Sequence, residues 1–255
     1  MRQTLSKLLL TCPHAGTQEL DKPRVKRDLP STCKAYPGEH FKDKNDECTL
    51  ELTRSIASNI QRLCGKKPHE VIGNFHRRYI DYNRHEECAI EQSSLLAKAR
   101  YLEYHNGIIQ KIEEMIPENY KGLAFLFDIH GTARTHVKVG NKIYPLEVLI
   151  GTDEESSIQA LTKVDPHAWW GTKGLIPLLR DKGVRVFTPN RNLEEQNRIL
   201  DGGYTIQTYG SSQCWKGLVA VQIEVISSIR KDPAYREKLS EDMADCIYQF
   251  VSPFT

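Results

Sequence analysis

The stretch that most constrains this fold is residues 123–131, an apolar run that ends in an acid, a spacer, a histidine and a glycine. So many consecutive apolar residues predict a strand buried on both faces, as in a parallel sheet. Because side chains alternate along a strand, Asp128 and His130 should point to the same side, where the carboxylate can orient the imidazole ring. Ligands of open α/β sheets bind beyond the carboxyl ends of the strands, so the pair is a candidate site. The alternative is a core histidine hydrogen-bonded to a nearby acid.

Segments of strand and helix character alternate along the rest of the chain. The glycine-flanked segment 204–209 is predicted to be extended. This alternation predicts a single α/β domain over residues 1–255, with a mostly parallel or mixed central sheet flanked by helices. The predicted strands are 7–11, 69–75, 184–187 and 217–226, with a hairpin at 135–150, and the predicted helices are 46–63, 94–116, 166–182 and 239–250.

Composition and charge exclude some classes of protein. The formal net charge is +2 and no apolar stretch approaches the ~20 residues of a membrane span, so neither a nucleic acid nor a membrane is the expected partner. The apolar residues after the N-terminus are too few for a signal peptide. The seven cysteines are scattered, with no Cys-x-x-Cys pair, which predicts reduced thiols and a cytoplasmic protein. The sequence leaves the oligomeric state open.

Three further residues at predicted strand ends and helix starts carry the chemistry of a site. His14 follows the first strand between a proline and a glycine, which mark a sharp turn. Glu224 lies inside a buried strand, where a charged group is costly unless it is paired. Asp46 or Glu47 begins a helix, although acids in a first helical turn are more often there for capping. With His130, these residues form a set of two histidines and one carboxylate, which is the ligand set of hydrolytic zinc sites, plus a separate glutamate.

The densest polar stretch is residues 76–84. Its guanidinium groups offer bidentate recognition of a carboxylate or phosphate, and Asp81 can hold one of them in position. A nucleic-acid interface is the weaker interpretation, because no RNA-binding signature surrounds the stretch. The segment 19–45 is predicted to be a long basic loop over the site, and its cluster of Lys22, Arg24, Lys26 and Arg27 is either an anion site or a solvated face.

Six short motifs follow one another along the chain: Pro13-His14-Ala15-Gly16, Asp46-x-x-Thr49, Arg77-x-x-x-Asp81-x-Asn83-Arg84, Asp128-x-His130-Gly131, Gly202-Gly203-Tyr204 and Gln222-Ile223-Glu224. In this order they resemble the N-formylglutamate amidohydrolase family. The resemblance covers roughly residues 9–250, nearly the whole chain, and the shared order of the motifs makes it specific.

The resemblance implies a zinc-exopeptidase-like (phosphorylase/hydrolase-like) fold and one zinc ion per chain. It implies metal ligands at His14, His130 and an acid near Glu47, with Glu224 as the catalytic glutamate. Asp128 is the second catalytic residue, in the supporting role of orienting His130. The acid that zinc exopeptidases carry three residues after the first histidine is replaced by Thr17, so Asp46, Glu47 and Glu19 are all candidates for the third ligand. The implied substrate-binding residues are Arg77, Asp81, Asn83, Arg84 and Tyr209.

The expected function is a zinc-dependent amidohydrolase that cleaves the amide of an N-acyl, N-formyl-type acidic amino acid. Its partner is then a small-molecule N-acyl amino acid or a short peptide. The alternatives are a carboxypeptidase-like enzyme or other deacylase, and a non-catalytic homologue that keeps an anion pocket.

Overall fold

A computed structural model of the protein describes residues 7–20, 42–188, 202–210 and 215–255. Eight strands and eight α-helices lie in these ranges. The strands are β1 (Leu8–Cys12), β2 (His69–Ile72), β3 (Ala124–Thr132), β4 (His136–Val139), β5 (Lys142–Pro145), β6 (Val148–Gly151), β7 (Val186–Phe187) and β8 (Leu218–Ile226). The helices are α1 (Thr49–Cys64), α2 (Glu86–Ala89), α3 (Leu95–Met115), α4 (Gln159–Val164), α5 (Leu175–Asp181), α6 (Tyr204–Tyr209), α7 (Ser227–Lys231) and α8 (Pro233–Val251), with a 3₁₀ turn at Ser156–Ile158.

The central sheet has six strands in the order β2-β1-β3-β8-β6-β7. The first four are mutually parallel, β6 runs antiparallel to β8, and β7 is parallel to β6. Strands β4 and β5 form a separate antiparallel hairpin. The predicted α/β fold with a mixed central sheet is therefore confirmed.

Helices cover both faces of the sheet, because the central strands are apolar on both sides. On one face Phe125 and Phe127 of β3 are fully buried in the core that α1 and α8 complete. On the other face Leu126 packs in the core that α3 completes, with Ile108 and Ile112. Full burial of one such side chain contributes about 1.5–3 kcal/mol relative to its exposure, so the two-sided burial expected for residues 123–131 holds the sheet together. Asp128 and His130 extend the Leu126 side of β3.

The structure differs from the predicted elements at three places. Segment 204–209 is the helix α6 and is not extended. Its β-branched and aromatic residues favour a strand. In the structure, Asn83 Oδ1 accepts hydrogen bonds from the Thr205 N–H (2.8 Å) and hydroxyl (3.2 Å), which supports the first helical turn. The helix predicted at 166–182 begins only at Leu175, because turns at Gly171 and Gly174 precede it. Strand β6, predicted as part of a hairpin, pairs with β8 in the main sheet.

Two further expectations concern compartment. Cys88 is disulfide-bonded, so the prediction that all seven thiols are reduced is wrong, whereas Cys12, Cys48, Cys64 and Cys246 are free. Among the described residues, no helix combines the length and the apolar character needed to cross a bilayer.

Candidate active site

The carboxyl ends of three parallel strands place the predicted site residues at one edge of the sheet. His14 follows β1, His130 lies near the carboxyl end of β3, and Glu224 lies in β8 directly beside His130 in the strand register. Parallel strands end at the same edge, so residues that are far apart in sequence meet there. Asp46 joins them from the segment that precedes α1, where its N–H donates a hydrogen bond to the His14 carbonyl (3.2 Å).

His14, Asp46 and His130 form a compact group of metal-ligating side chains. One ligand atom from each lies within 4.8 Å of the others. The Asp46 Oδ2 atom is 3.2 Å from His14 Nδ1, 3.5 Å from His130 Nδ1, and it accepts a hydrogen bond from the Gly131 N–H at 3.0 Å. Both histidines are buried, with 1% and 3% of their surface exposed.

In each histidine the second ring nitrogen, Nε2, lies within hydrogen-bond distance of a fully buried carboxylate. His14 Nε2 lies 2.7 Å from Asp81 Oδ1, and His130 Nε2 lies 2.7 Å from Asp128 Oδ2. The Thr11 hydroxyl donates to the other oxygen of Asp128 at 2.6 Å and so fixes that carboxylate in turn. Carboxylates in this position fix the tautomer and orientation of histidines that bind metal through the opposite nitrogen. The two imidazoles and one carboxylate therefore fit a divalent metal bound through both Nδ1 atoms and Asp46.

The charges in this group are strongly coupled. Burial opposes ionisation of Asp46, but His14, His130 and Arg77 hold its pKa well below the usual value. Burial likewise opposes ionisation of Asp81, and Arg77 together with His14 holds the pKa of that carboxyl well below its usual range. Both aspartates are thus carboxylates at neutral pH and available as acceptors.

Arg77 lies between the two aspartates. Its Nε donates to Asp81 Oδ2 at 2.9 Å, and its Nη1 is 3.8 Å from Asp46 Oδ1. The residue is 5% exposed, and it lines a cavity of about 520 Å³ beside the metal-ligating group. The half-buried Glu224 also lines this cavity and accepts a hydrogen bond from Gln222 Nε2 at 2.9 Å. The other lining residues are Lys42, Asp43, Lys44, Asn45, Asp46, Glu47, Gly131, Thr132, Ala133, Ser227, Arg230 and Lys231.

Four of the five predicted substrate-binding residues are not among the residues that line this cavity: Asp81, Asn83, Arg84 and Tyr209. Asn83 joins the site to α6 through Thr205, with its Nδ2 3.4 Å from His130 Nε2. Arg84 donates from Nη1 to the Asn83 carbonyl at 2.7 Å. Tyr209 is 4% exposed, and its hydroxyl lies 2.7 Å from His105 Nδ1. The hydrogen bonds of these residues are made to other groups of the protein, in the polar layer next to the site.

The structure separates Glu47 from the metal-ligating group. Its side chain is exposed and forms an ion pair with Lys231, whereas Asp46 points inward. Glu19 is also exposed. Of the acids that the sequence offered as a third ligand, Asp46 accompanies the histidines. The cluster Lys22, Arg24, Lys26 and Arg27 lies outside the described residues.

One residue at the site was missed in the sequence. Arg230 is 4% exposed although it is charged, and it lines the cavity next to Gly131. It sits in a short polar segment after β8, where an arginine followed by a lysine is typical of a helix surface. No pattern in the sequence distinguishes it from an exposed cation.

The fold and site define an α/β protein with a candidate metal-binding group at the carboxyl ends of its parallel strands. No protein-family model and no curated protein match the sequence. Two solved structures share the fold. Gene product Atu2144 from Agrobacterium tumefaciens is 14% identical, with a TM-score of 0.57 over 97% of this chain and 91% of that one. N-formylglutamate amidohydrolase from Ralstonia eutropha JMP134 is 15% identical, with a TM-score of 0.55 over 98% of this chain and 95% of that one. The resemblance predicted from the ordered motifs is confirmed in the fold.

Proposed function

We propose that this protein is a metal-dependent amidohydrolase that cleaves the amide of an N-acyl acidic amino acid, of the N-formylglutamate type. The observation that carries the proposal is the pair of histidines whose Nε2 atoms rest on buried carboxylates while both Nδ1 atoms face Asp46. Such a pair is the arrangement by which proteins prepare imidazoles for a metal. The shared fold with N-formylglutamate amidohydrolase supports the reaction class.

His14, His130 and Asp46 would hold one divalent metal ion, and this mixture of imidazole and carboxylate favours zinc. When bound, such an ion polarises a carbonyl and lowers the pKa of water to about 7. Asp81 and Asp128 keep the two imidazole rings in place by accepting from their Nε2 atoms. The buried site also keeps bulk water from competing for the ligand atoms.

Glu224 is the proposed proton carrier. It lies beside His130 across the β3–β8 register and faces the cavity, and Gln222 donates to one of its oxygens. From there it takes a proton from the attacking water and passes it to the leaving amine nitrogen. Its two carboxylate oxygens allow one to accept from Gln222 while the other handles the proton.

The cavity supplies the binding site for the acidic part of the substrate. Arg77, Arg230, Lys231, Lys42 and Lys44 line it. We assign Arg77 as the anchor for a substrate carboxylate, because it lines the cavity and its hydrogen bond to Asp81 is donated by Nε, which leaves the two Nη groups as further donors. Binding a remote carboxylate there positions the scissile amide, so loss of Arg77 harms kcat as well as KM.

The first experiment measures metal content by elemental analysis together with turnover. We expect about one zinc per chain, loss of turnover on chelation and recovery on adding zinc. The substrates compared are N-formylglutamate, N-acetylglutamate, N-formylleucine and short peptides that end in glutamate. Preference for the peptides would support a carboxypeptidase-like enzyme instead. A third outcome is a protein that binds no metal and shows no turnover with added zinc but still binds glutamate. That result would support a non-catalytic anion-binding protein.

A further inference from the structure

One buried arginine contacts the segments that carry three of the proposed functional residues. Arg230 lies in α7, six residues after Glu224, and its side chain folds back toward the end of the sheet. Its Nε donates to the Val225 carbonyl at 2.9 Å, and its Nη1 donates to the Glu47 carbonyl. Its guanidinium group also lies against Gly131, where an added Cβ would be 2.2 Å from the Arg230 Cζ atom.

Each of these three contacts is made to the residue that follows a functional one. Val225 follows Glu224, Glu47 follows Asp46, and Gly131 follows His130. The three segments belong to β8, to the approach to α1, and to β3, so they are distant in sequence and meet only here. A single rigid, planar group thereby sets their mutual spacing.

We infer that Arg230 is a positioning residue that fixes Asp46 relative to His130 and Glu224. This inference rests on the proposed function, since it concerns the same site. The Asp46 Oδ2 atom accepts from the Gly131 N–H at 3.0 Å, so Asp46 and Gly131 already share one hydrogen bond. The guanidinium holds the same two segments together from the other side through the Glu47 carbonyl. Without it, the Glu47 carbonyl loses its partner and Asp46 is free to move away from the two Nδ1 atoms.

The geometry requires an arginine. Its Nε and Nη1 donors point in fixed, different directions and reach two carbonyls on separate segments, whereas a lysine ammonium is a compact charge on a flexible stem. The flat guanidinium also needs a residue without a side chain beneath it. Gly131 provides that space, and its backbone conformation is not in the left-handed region, so close approach is the reason for glycine at this position.

The test compares Arg230→Met and Arg230→Lys with the control Arg180→Met. Arg180 also donates to a backbone carbonyl, that of Val186 at 3.2 Å, but it lies next to β7 at the far edge of the sheet. Zinc affinity is measured by chelator competition, and the thermal unfolding of the metal-free protein is measured alongside. We expect zinc binding about 10- to 100-fold weaker in both Arg230 variants, as for other residues that support metal ligands, and no change in the control.

Gly131→Ala tests the same contact from the other side and avoids removing the charge. Its Cβ must displace the guanidinium from the two carbonyls, so zinc affinity should fall. In the double variant with Arg230→Met the methyl group has no guanidinium to displace, so the effect of Gly131→Ala should largely disappear. Turnover should show reduced kcat at nearly constant KM.

Four results would overturn the inference. Zinc affinity equal to wild type in both Arg230 variants would remove the positioning role, as would fully additive effects in the Gly131 and Arg230 pair. A raised KM with unchanged zinc affinity and kcat would make Arg230 a substrate contact. If the wild-type protein binds no zinc, the proposed function fails and the positioning role fails with it. Zinc binding of the wild type is measured before any variant, so this outcome is distinguished from the other results.

Discussion

His14 Nε2 lies 2.7 Å from Asp81 Oδ1, and this hydrogen bond determines which ring nitrogen of His14 faces Asp46. The Asp81 carboxylate is fully buried and also accepts from Arg77 Nε and from the Asn83 N–H. With three donors around it, Asp81 has little freedom to move. The orientation of His14 is therefore built into the core of the protein.

Asp81→Asn should weaken zinc binding by about 10- to 100-fold, because the amide is a poorer partner for the imidazole and removes the nearer of the two carboxylates that face Arg77. Chelator competition on the purified variant measures the effect. The matched control is Asp242→Asn, a buried aspartate on α8 that pairs with Lys238. Wild-type affinity in Asp81→Asn would contradict the assigned role of this carboxylate.

Comparison of Asp46→Asn with Glu47→Gln tests which of the two adjacent acids binds the metal. Asp46 accompanies the histidines, whereas Glu47 is exposed and paired with Lys231. We expect Asp46→Asn to lose bound zinc and turnover together, and Glu47→Gln to keep both within about 2-fold, since exposed ion pairs contribute little. Elemental analysis of the two purified variants is sufficient. The assignment fails if Glu47→Gln is the variant that loses zinc.

The sequence predicted the sheet and both histidines because these depend on local patterns. The apolar runs that form β3 and β8 and the position of His130 at a strand end are visible without any tertiary contact. The choice between Asp46 and Glu47 is not visible, because it depends on the left-handed Cys48 that begins α1 and on the buried Arg230. Helix α6 was missed for the same reason: Asn83, more than a hundred residues earlier in the chain, supports its first turn.

Glu224→Gln should lower kcat by about 10²- to 10⁴-fold while zinc remains bound, because the amide cannot accept and release a proton. The change preserves the size of the side chain, so its neighbours Gln222 and His130 should not move. Steady-state kinetics and metal analysis on the same preparation separate the two effects. Full turnover in this variant would exclude Glu224 as the proton carrier.

His105, a buried residue of α3, should make the protein sensitive to acid. Burial lowers the pKa of His105 to about 4 in the folded state, against about 6.5 when unfolded. Between these values the unfolded chain binds the extra proton, so this contribution to stability is present above pH 6.5 and is lost as the pH falls toward 4. At about 1.4 kcal/mol per pKa unit, the loss is about 3 kcal/mol.

Urea unfolding between pH 4 and 8 measures this contribution. The comparison is His105→Gln, which keeps a polar group near the Tyr209 hydroxyl, with His136→Gln as an exposed control. The free energy of unfolding should fall less steeply below pH 6.5 in His105→Gln than in wild type, and His136→Gln should follow wild type. Identical slopes in all three proteins would mean that His105 has the same pKa in the folded and unfolded states, which would contradict the expected effect of its burial.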